Sequence, residues 1–238
     1  MRIPALEHVI IDAYEVINQA NCVEDILDMM EFLQDEVQSF YPDIPIKPGC
    51  CLGCTGQDLV VVSAAEWSLI LYFIRELPQI VQGEIVRRAY AWMKEYRDIF
   101  LLLQQELKSQ ARLPPAQRYQ VPPVQALKEF SCPFQVGELC GIYPVRPARS
   151  RAYGTSLIKI GDVVRFLTTA PEMRRWEAYF KTKKGDREVT MPLWNVFTDN
   201  IHKLNSPQQT PTILPIWLYT HVENGKLVED VNDQPVIF

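Results

Sequence analysis

Ser63-Ala64-Ala65-Glu66-Trp67-Ser68-Leu69-Ile70-Leu71-Tyr72-Phe73-Ile74-Arg75-Glu76-Leu77 decides the fold class. Its first four residues have the S-x-x-E spacing of a capping box, in which the serine hydroxyl and the glutamate carboxylate satisfy backbone N–H groups that a helix start leaves open. Trp67, Ile70, Leu71, Ile74 and Leu77 then fall on one face of a 3.6-residue repeat, so the segment reads as an amphipathic helix. Glu66 is on this reading a helix cap and not a catalytic base. A longer helical region follows over about 82–110, with Ile85, Ala89, Trp92, Met93, Tyr96, Ile99, Phe100, Leu103 and Leu107 turned inward. Upstream, Leu6, Val9, Ile10, Ala13 and Ile17 mark one helix and Ile26, Met29, Met30, Leu33 and Val37 another, with Asn21 and Glu24 spaced as a capping pair at its start.

Proline and glycine punctuate the rest. Pro42, Pro45, Pro48 and Gly49 impose an extended, turn-rich stretch, and Leu113-Pro114-Pro115…Val121-Pro122-Pro123 ends the helical run. Beyond Tyr153 the character shifts. Leu157-Ile158-Lys159-Ile160 and the segment 213–222 have strand composition, and Asn224-Gly225 between Tyr219-Thr220-His221-Val222 and Lys226-Leu227-Val228 is a two-residue hairpin signal. Between these segments Trp176, Tyr179, Phe180, Trp194, Phe197 and Ile201 indicate helical turns. The expected fold is mainly α within an α+β class. A helical cysteine-cluster domain covers 1–155, and a small hairpin-containing α+β extension, 156–238, packs on it without folding independently.

Five of the 6 cysteines sit in two tight groups, Cys50-Cys51-x-x-Cys54 and Cys132…Cys140. A C-x-x-C turn presents two sulfurs to one metal, and a second pair brought in by the fold completes tetrahedral thiolate coordination. Cys51, Cys54, Cys132 and Cys140 form one such set, with Cys50 as an alternative ligand. Zinc and an iron–sulfur cluster both accept four thiolates, so the donors leave the metal open. A redox role for Cys51 and Cys54 is weaker, because no thioredoxin-like alternation of strands and helices surrounds them. Cys22 stands apart and reads as a buried apolar thiol, whose truncation would cost about 1–2 kcal/mol.

The run Cys132-Pro133-Phe134…Gly137-x-x-Cys140-x-Ile142-Tyr143-x-x-Arg146-Pro147-x-x-Ser150-Arg151-x-Tyr153 resembles the YkgJ-type cysteine-cluster proteins, described as zinc- or iron-chelating, and the resemblance covers about 46–153. It implies a metal held by the clustered cysteines, with Arg146, Arg151 and Tyr153 in the motif that supports them. Guanidinium groups there would offset the negative charge of four thiolates or grip an anionic ligand. The chain departs from the family pattern in two places. The first cluster is compressed from C-x-x-C-x-x-C-C, and Ser150 stands where relatives carry a cysteine. A serine hydroxyl is a poor ligand for soft metals, so one site is expected and not two. Flagellin lysine methylases look similar in their cysteine clusters, which implies an alternative, a cluster-dependent enzyme modifying a protein or peptide. No Gly-rich loop for a nucleotide-like methyl donor accompanies that alternative. The missing cysteines define a third reading, a metal-free interaction scaffold.

Composition narrows the classes. With 238 residues, 47% hydrophobic and 11% aromatic, the chain fills a core without needing metal for it. A formal net charge of −5 gives no basic face for a phosphate backbone, so nucleic acid is not an expected partner. Met1 to His8 lack the apolar core of a signal peptide and no later run approaches a membrane span, which gives the expectation of a cytoplasmic protein without a membrane partner. In a reducing compartment clustered thiols are metal ligands or redox groups before they are disulfides. His8, His202 and His221 lie at no ligand spacing, and the chain carries no phosphate loop, G-x-S-x-G elbow or H-E-x-x-H helix. No catalytic residue is assigned.

Overall fold

A computed structural model describes residues 5–44, 59–113, 118, 121, 124, 127, 132–136, 139–168, 170–184, 189–205 and 209–228. The fold is mainly helical, with small two-stranded antiparallel sheets, as the apolar periodicity predicts. Its chain forms two compact units, each discontinuous in sequence: Met1–Pro48 with Ala148–Leu204, and Gly49–Pro147 with Asn205–Phe238. A cut at 155/156 falls inside the first of them.

In the first unit, α1 (Leu6–Asn18) buries Leu6, Ile10, Ala13 and Ile17, one stripe at helical spacing. Helix α2 (Val23–Phe40) buries Val23, Ile26, Leu27, Met30, Leu33 and Val37. It starts one residue later than the Asn21–Glu24 spacing predicts. Cys22 is its N-cap, extended at φ −139° and ψ 165°, without a side-chain cap bond; Glu24 and Asp25 in the first turn favour the start through the helix dipole. Helix α5 (Ala148–Ala152), the hairpin β4 (Leu157–Ile160) and β5 (Val163–Phe166), α6 (Ala170–Lys184) and α7 (Trp194–Leu204) complete the unit. Long-range polar contacts tie it together. The Tyr41 hydroxyl donates to the Thr190 carbonyl and accepts from the Thr190 N–H, both at 3.2 Å. The Asn195 amide accepts from Lys159 N–H at 2.8 Å and donates to Lys159 C=O at 3.0 Å, acting as a short extra strand along the edge of β4.

In the second unit, β1 (Val61–Val62) pairs antiparallel with β6 (Thr212–Ile213), Val61 opposite Ile213 and Val62 opposite Thr212. Helix α3 (Ala64–Glu76) carries the expected capping box: Glu66 N–H donates to Ser63 Oγ at 3.1 Å and Ser63 N–H to Glu66 Oε2 at 2.9 Å. Glu66 is thereby a buried cap. Because Ser63 is itself only 1% exposed, Ser63→Ala strands a helix N–H and should lower unfolding free energy by about 1 kcal/mol in urea titrations. Trp67, Ile70, Leu71 and Ile74 are each fully buried, as their spacing requires.

Helix α4 (Gln79–Gln110) bends at Tyr96, where φ is −117° and ψ 23°. The segment read as a strand over 213–222 is instead the helix α8 (Leu214–Thr220), with strand only at its two ends, Ile213 and Val222. Pro215 sits in its first turn, where a missing N–H costs nothing, and Leu214, Pro215, Ile216, Trp217 and Leu218 are all buried. A helix apolar on every side shows no amphipathic period, which is why its composition imitates a strand. After it, β7 (Val222–Glu223) and β8 (Lys226–Leu227) form the Asn224-Gly225 hairpin, with φ +50° and +76° at the two turn residues. No helix among the described residues is long and apolar enough to cross a membrane.

Candidate metal centre

Cys132 and Cys140 flank one hairpin. Strands β2 (Gln135–Val136) and β3 (Leu139–Cys140) pair antiparallel, Gln135 opposite Cys140 and Val136 opposite Leu139. Gly141 N–H donates to the Phe134 carbonyl at 2.7 Å, so residues 134 and 141 form a bonded pair and Gln135 with Cys140 a non-hydrogen-bonded one. Such a pair turns its own backbone groups outward. Gln135 N–H accordingly donates to the Cys132 carbonyl at 3.0 Å, and Gln135 C=O accepts from the Arg88 guanidinium of α4. One residue thus contacts the backbone of Cys132, faces Cys140 and is held from behind by Arg88.

Phe134, fully buried, anchors the hairpin in a core with Trp67, Ile70, Ile142 and Trp217, and both cysteines, each partly buried, pack against that core. Gly141 is required by the same closeness: a Cβ there would lie 2.7 Å from the Phe134 carbonyl oxygen, a backbone atom that cannot swing aside. Arg88 Nε is paired with Glu84 Oε1 at 2.7 Å, and Arg87 shares the same carboxylate at 2.8 Å. Hydrogen bonds from Arg87 and Arg88 hold the Glu84 carboxyl down at about 2. Because that value is depressed on folding, the linkage is complete above the ordinary carboxylate range and is lost only as pH falls toward 2.

Cys50, Cys51 and Cys54 lie outside the described residues. Among the described residues no group of three or more His, Cys, Asp or Glu is placed to hold a metal, so Cys132 and Cys140 alone do not complete a site. Arg146 belongs to the second unit, like Cys132 and Cys140, and lies 4.0 Å over the Tyr143 ring. Ser150, Arg151 and Tyr153 belong to the first unit. Arg151 is 6% exposed and its guanidinium pairs at 3.3 Å with Glu31 of α2, an acidic side chain and not a thiol. Tyr153 is partly buried in the turn after α5.

Cys22 is not the buried thiol its sequence context implied. It is exposed at the helix start. The Asp25 N–H lowers its pKa, but the Asp25 side chain with the charges of Asp25 and Glu24 outweighs this and leaves the thiol raised, away from reactive thiolate character. Cys22→Ala is therefore expected to change stability by less than about 0.5 kcal/mol, checked by chemical denaturation; a loss above 1 kcal/mol would mean that the thiol packs after all.

His221 is fully buried. Its Nδ1 accepts from Trp67 Nε1–H at 3.1 Å and lies 2.8 Å from the Trp217 carbonyl, within a cluster where the two indoles stack at 6.2 Å. It is a core histidine with polar partners.

Gly141 and Arg88 were not singled out from sequence. A glycine directly after Cys140 is a visible signal of close backbone approach. Arg88 acts through a main-chain carbonyl 47 residues away, which leaves no mark in a motif. No family model matches the chain, and neither does any curated protein or solved structure.

Proposed function

We propose that this protein binds one metal centre, zinc or an iron–sulfur cluster, through thiolates of its clustered cysteines, as its resemblance to the YkgJ-type proteins implies. The observation that carries the reading is that Cys140, opposite Gln135 in the β2–β3 ladder, and Cys132, whose carbonyl accepts from the Gln135 N–H, pack against one core. The donor set fits such a group: soft thiols suit zinc and iron, and a glycine-bearing hairpin is a rigid mount for two of them. Val60, six residues after Cys54 in sequence, belongs to the core that both cysteines pack against, which favours a shared site with Cys51 and Cys54, or Cys50 in place of Cys51. Bound, the group would supply a structural cross-link or a redox centre. The chain's own residues supply the ligands and their orientation.

The same reading places the protein in a reducing, cytoplasmic setting, where the thiols stay available to metal. The test is substitution of the ligands. Cys54→Ser, Cys132→Ser and Cys140→Ser are each expected to reduce bound zinc or iron to a small fraction of the unsubstituted protein's, with Cys22→Ser unchanged. Full metal content in Cys140→Ser would remove Cys140 from the ligand set, and full content in all three would end the reading.

A further inference from the structure

We propose that Arg88 is a positioning residue for the Cys132–Cys140 segment, holding from α4 the backbone that carries the two thiols; this rests on the metal-site reading above. Three contacts converge on Gln135. Its N–H closes on the Cys132 carbonyl at 3.0 Å, it stands opposite Cys140 in the ladder, and its carbonyl takes the Arg88 guanidinium. The hairpin has only two residues in each strand, and a two-stranded ribbon of that size has little stability of its own. Phe134 and Ile142 fix it in the core through apolar packing, and the Arg88 contact adds a polar tether on the backbone of β2.

Arg88 is itself immobilised. Glu84, one turn earlier on α4, accepts from its Nε at 2.7 Å, which leaves a different guanidinium nitrogen, Nη1, for Gln135. Arginine suits the task because its planar fork bonds a carboxylate and a carbonyl at once, whereas a lysine offers one point charge. The contact also brings a permanent positive charge to the backbone of a segment that would carry two thiolates when metal is bound, and groups that orient metal ligands tune metal affinity.

Cobalt(II) is the probe, because its thiolate charge-transfer and ligand-field bands report coordination geometry. In anaerobic titrations Arg88→Met is expected to shift those bands and to release cobalt to a chelator about tenfold faster than the unsubstituted protein, with Arg88→Lys restoring part of both. Bands and release rate unchanged in Arg88→Met would overturn the proposal. If the unsubstituted protein takes up no cobalt, the metal reading fails and the positioning claim is decided separately by iodoacetamide labelling of metal-free protein. Labelling of Cys132 and Cys140 should be several-fold faster in Arg88→Met, with exposed Cys22 as the unchanged control; equal labelling rejects the claim. Should Arg88→Met not fold, Glu84→Gln must move the same readouts in the same direction by a smaller factor, and no movement rejects the claim.

Discussion

Replacing Trp217 by alanine is expected to cost about 4 kcal/mol of unfolding free energy, the range for truncating a fully buried tryptophan. The indole is completely enclosed. It stacks on Trp67 with ring centres 6.2 Å apart and planes 8° from parallel, and its Nε1–H donates to the Val62 carbonyl at 3.0 Å. Alanine would remove the stack, open a cavity between α3 and α8, and leave the carbonyl of a buried strand residue without its indole partner. Trp217→Phe separates these contributions, since it keeps an aromatic ring and loses the hydrogen bond, and should cost about 1–2 kcal/mol. Urea unfolding followed by fluorescence and circular dichroism measures both. A loss below 1.5 kcal/mol for the alanine variant would show that this cluster is not the centre of the second unit's core.

Gly154→Ala is expected to destabilise by about 3 kcal/mol, from backbone strain and a steric clash together. Gly154 has φ +77°, a conformation that a Cβ disfavours, and its N–H is committed to the Leu167 carbonyl at 2.8 Å. A Cβ would also stand 2.5 Å from the Trp176 ring, closer than any real contact. Trp176 cannot retreat cheaply, because it is 3% exposed and packs with Phe166 and Phe180, rings that stack on each other at 4.9 Å. A double-mutant cycle tests the division between the two causes. Trp176→Leu in the Gly154→Ala background should recover part of the loss, while strict additivity would mean that the clash is relieved elsewhere and only the strain matters.

Local interactions were legible in the sequence. The Ser63–Glu66 box and the Asn224-Gly225 turn each place cause and effect within four residues, so spacing alone carries them. The four helices read upstream of the proline-rich stretch kept their apolar faces for the same reason. Elements decided by distant partners were not legible. Helix α8 looks like a strand because burial on all sides erases its period. The start of α2 passed over the better capping residue, Asn21, for Cys22, which makes no side-chain cap bond. The division into two discontinuous units rests on pairings such as Val62 with Thr212 and the Tyr41 hydroxyl with Thr190, which join residues far apart in the chain.

The candidate site divides along the same line. Cysteine spacing identified Cys132 and Cys140, and the structure sets them at the two sides of a single hairpin. Gln135 acts through its backbone, and Arg88 reaches it from another element, so neither carried a motif. Arg151 was legible as a motif residue, but its ion pair with Glu31, 120 residues away, was not.

The most direct measurement is elemental analysis, with a visible absorption spectrum, of protein purified without oxygen. The account predicts about one metal site per chain: zinc in colourless protein, or iron with sulfide in brown protein showing charge-transfer bands. Protein free of zinc and iron, with Cys50, Cys51, Cys54, Cys132 and Cys140 all alkylated by iodoacetamide as fast as exposed Cys22, would contradict it.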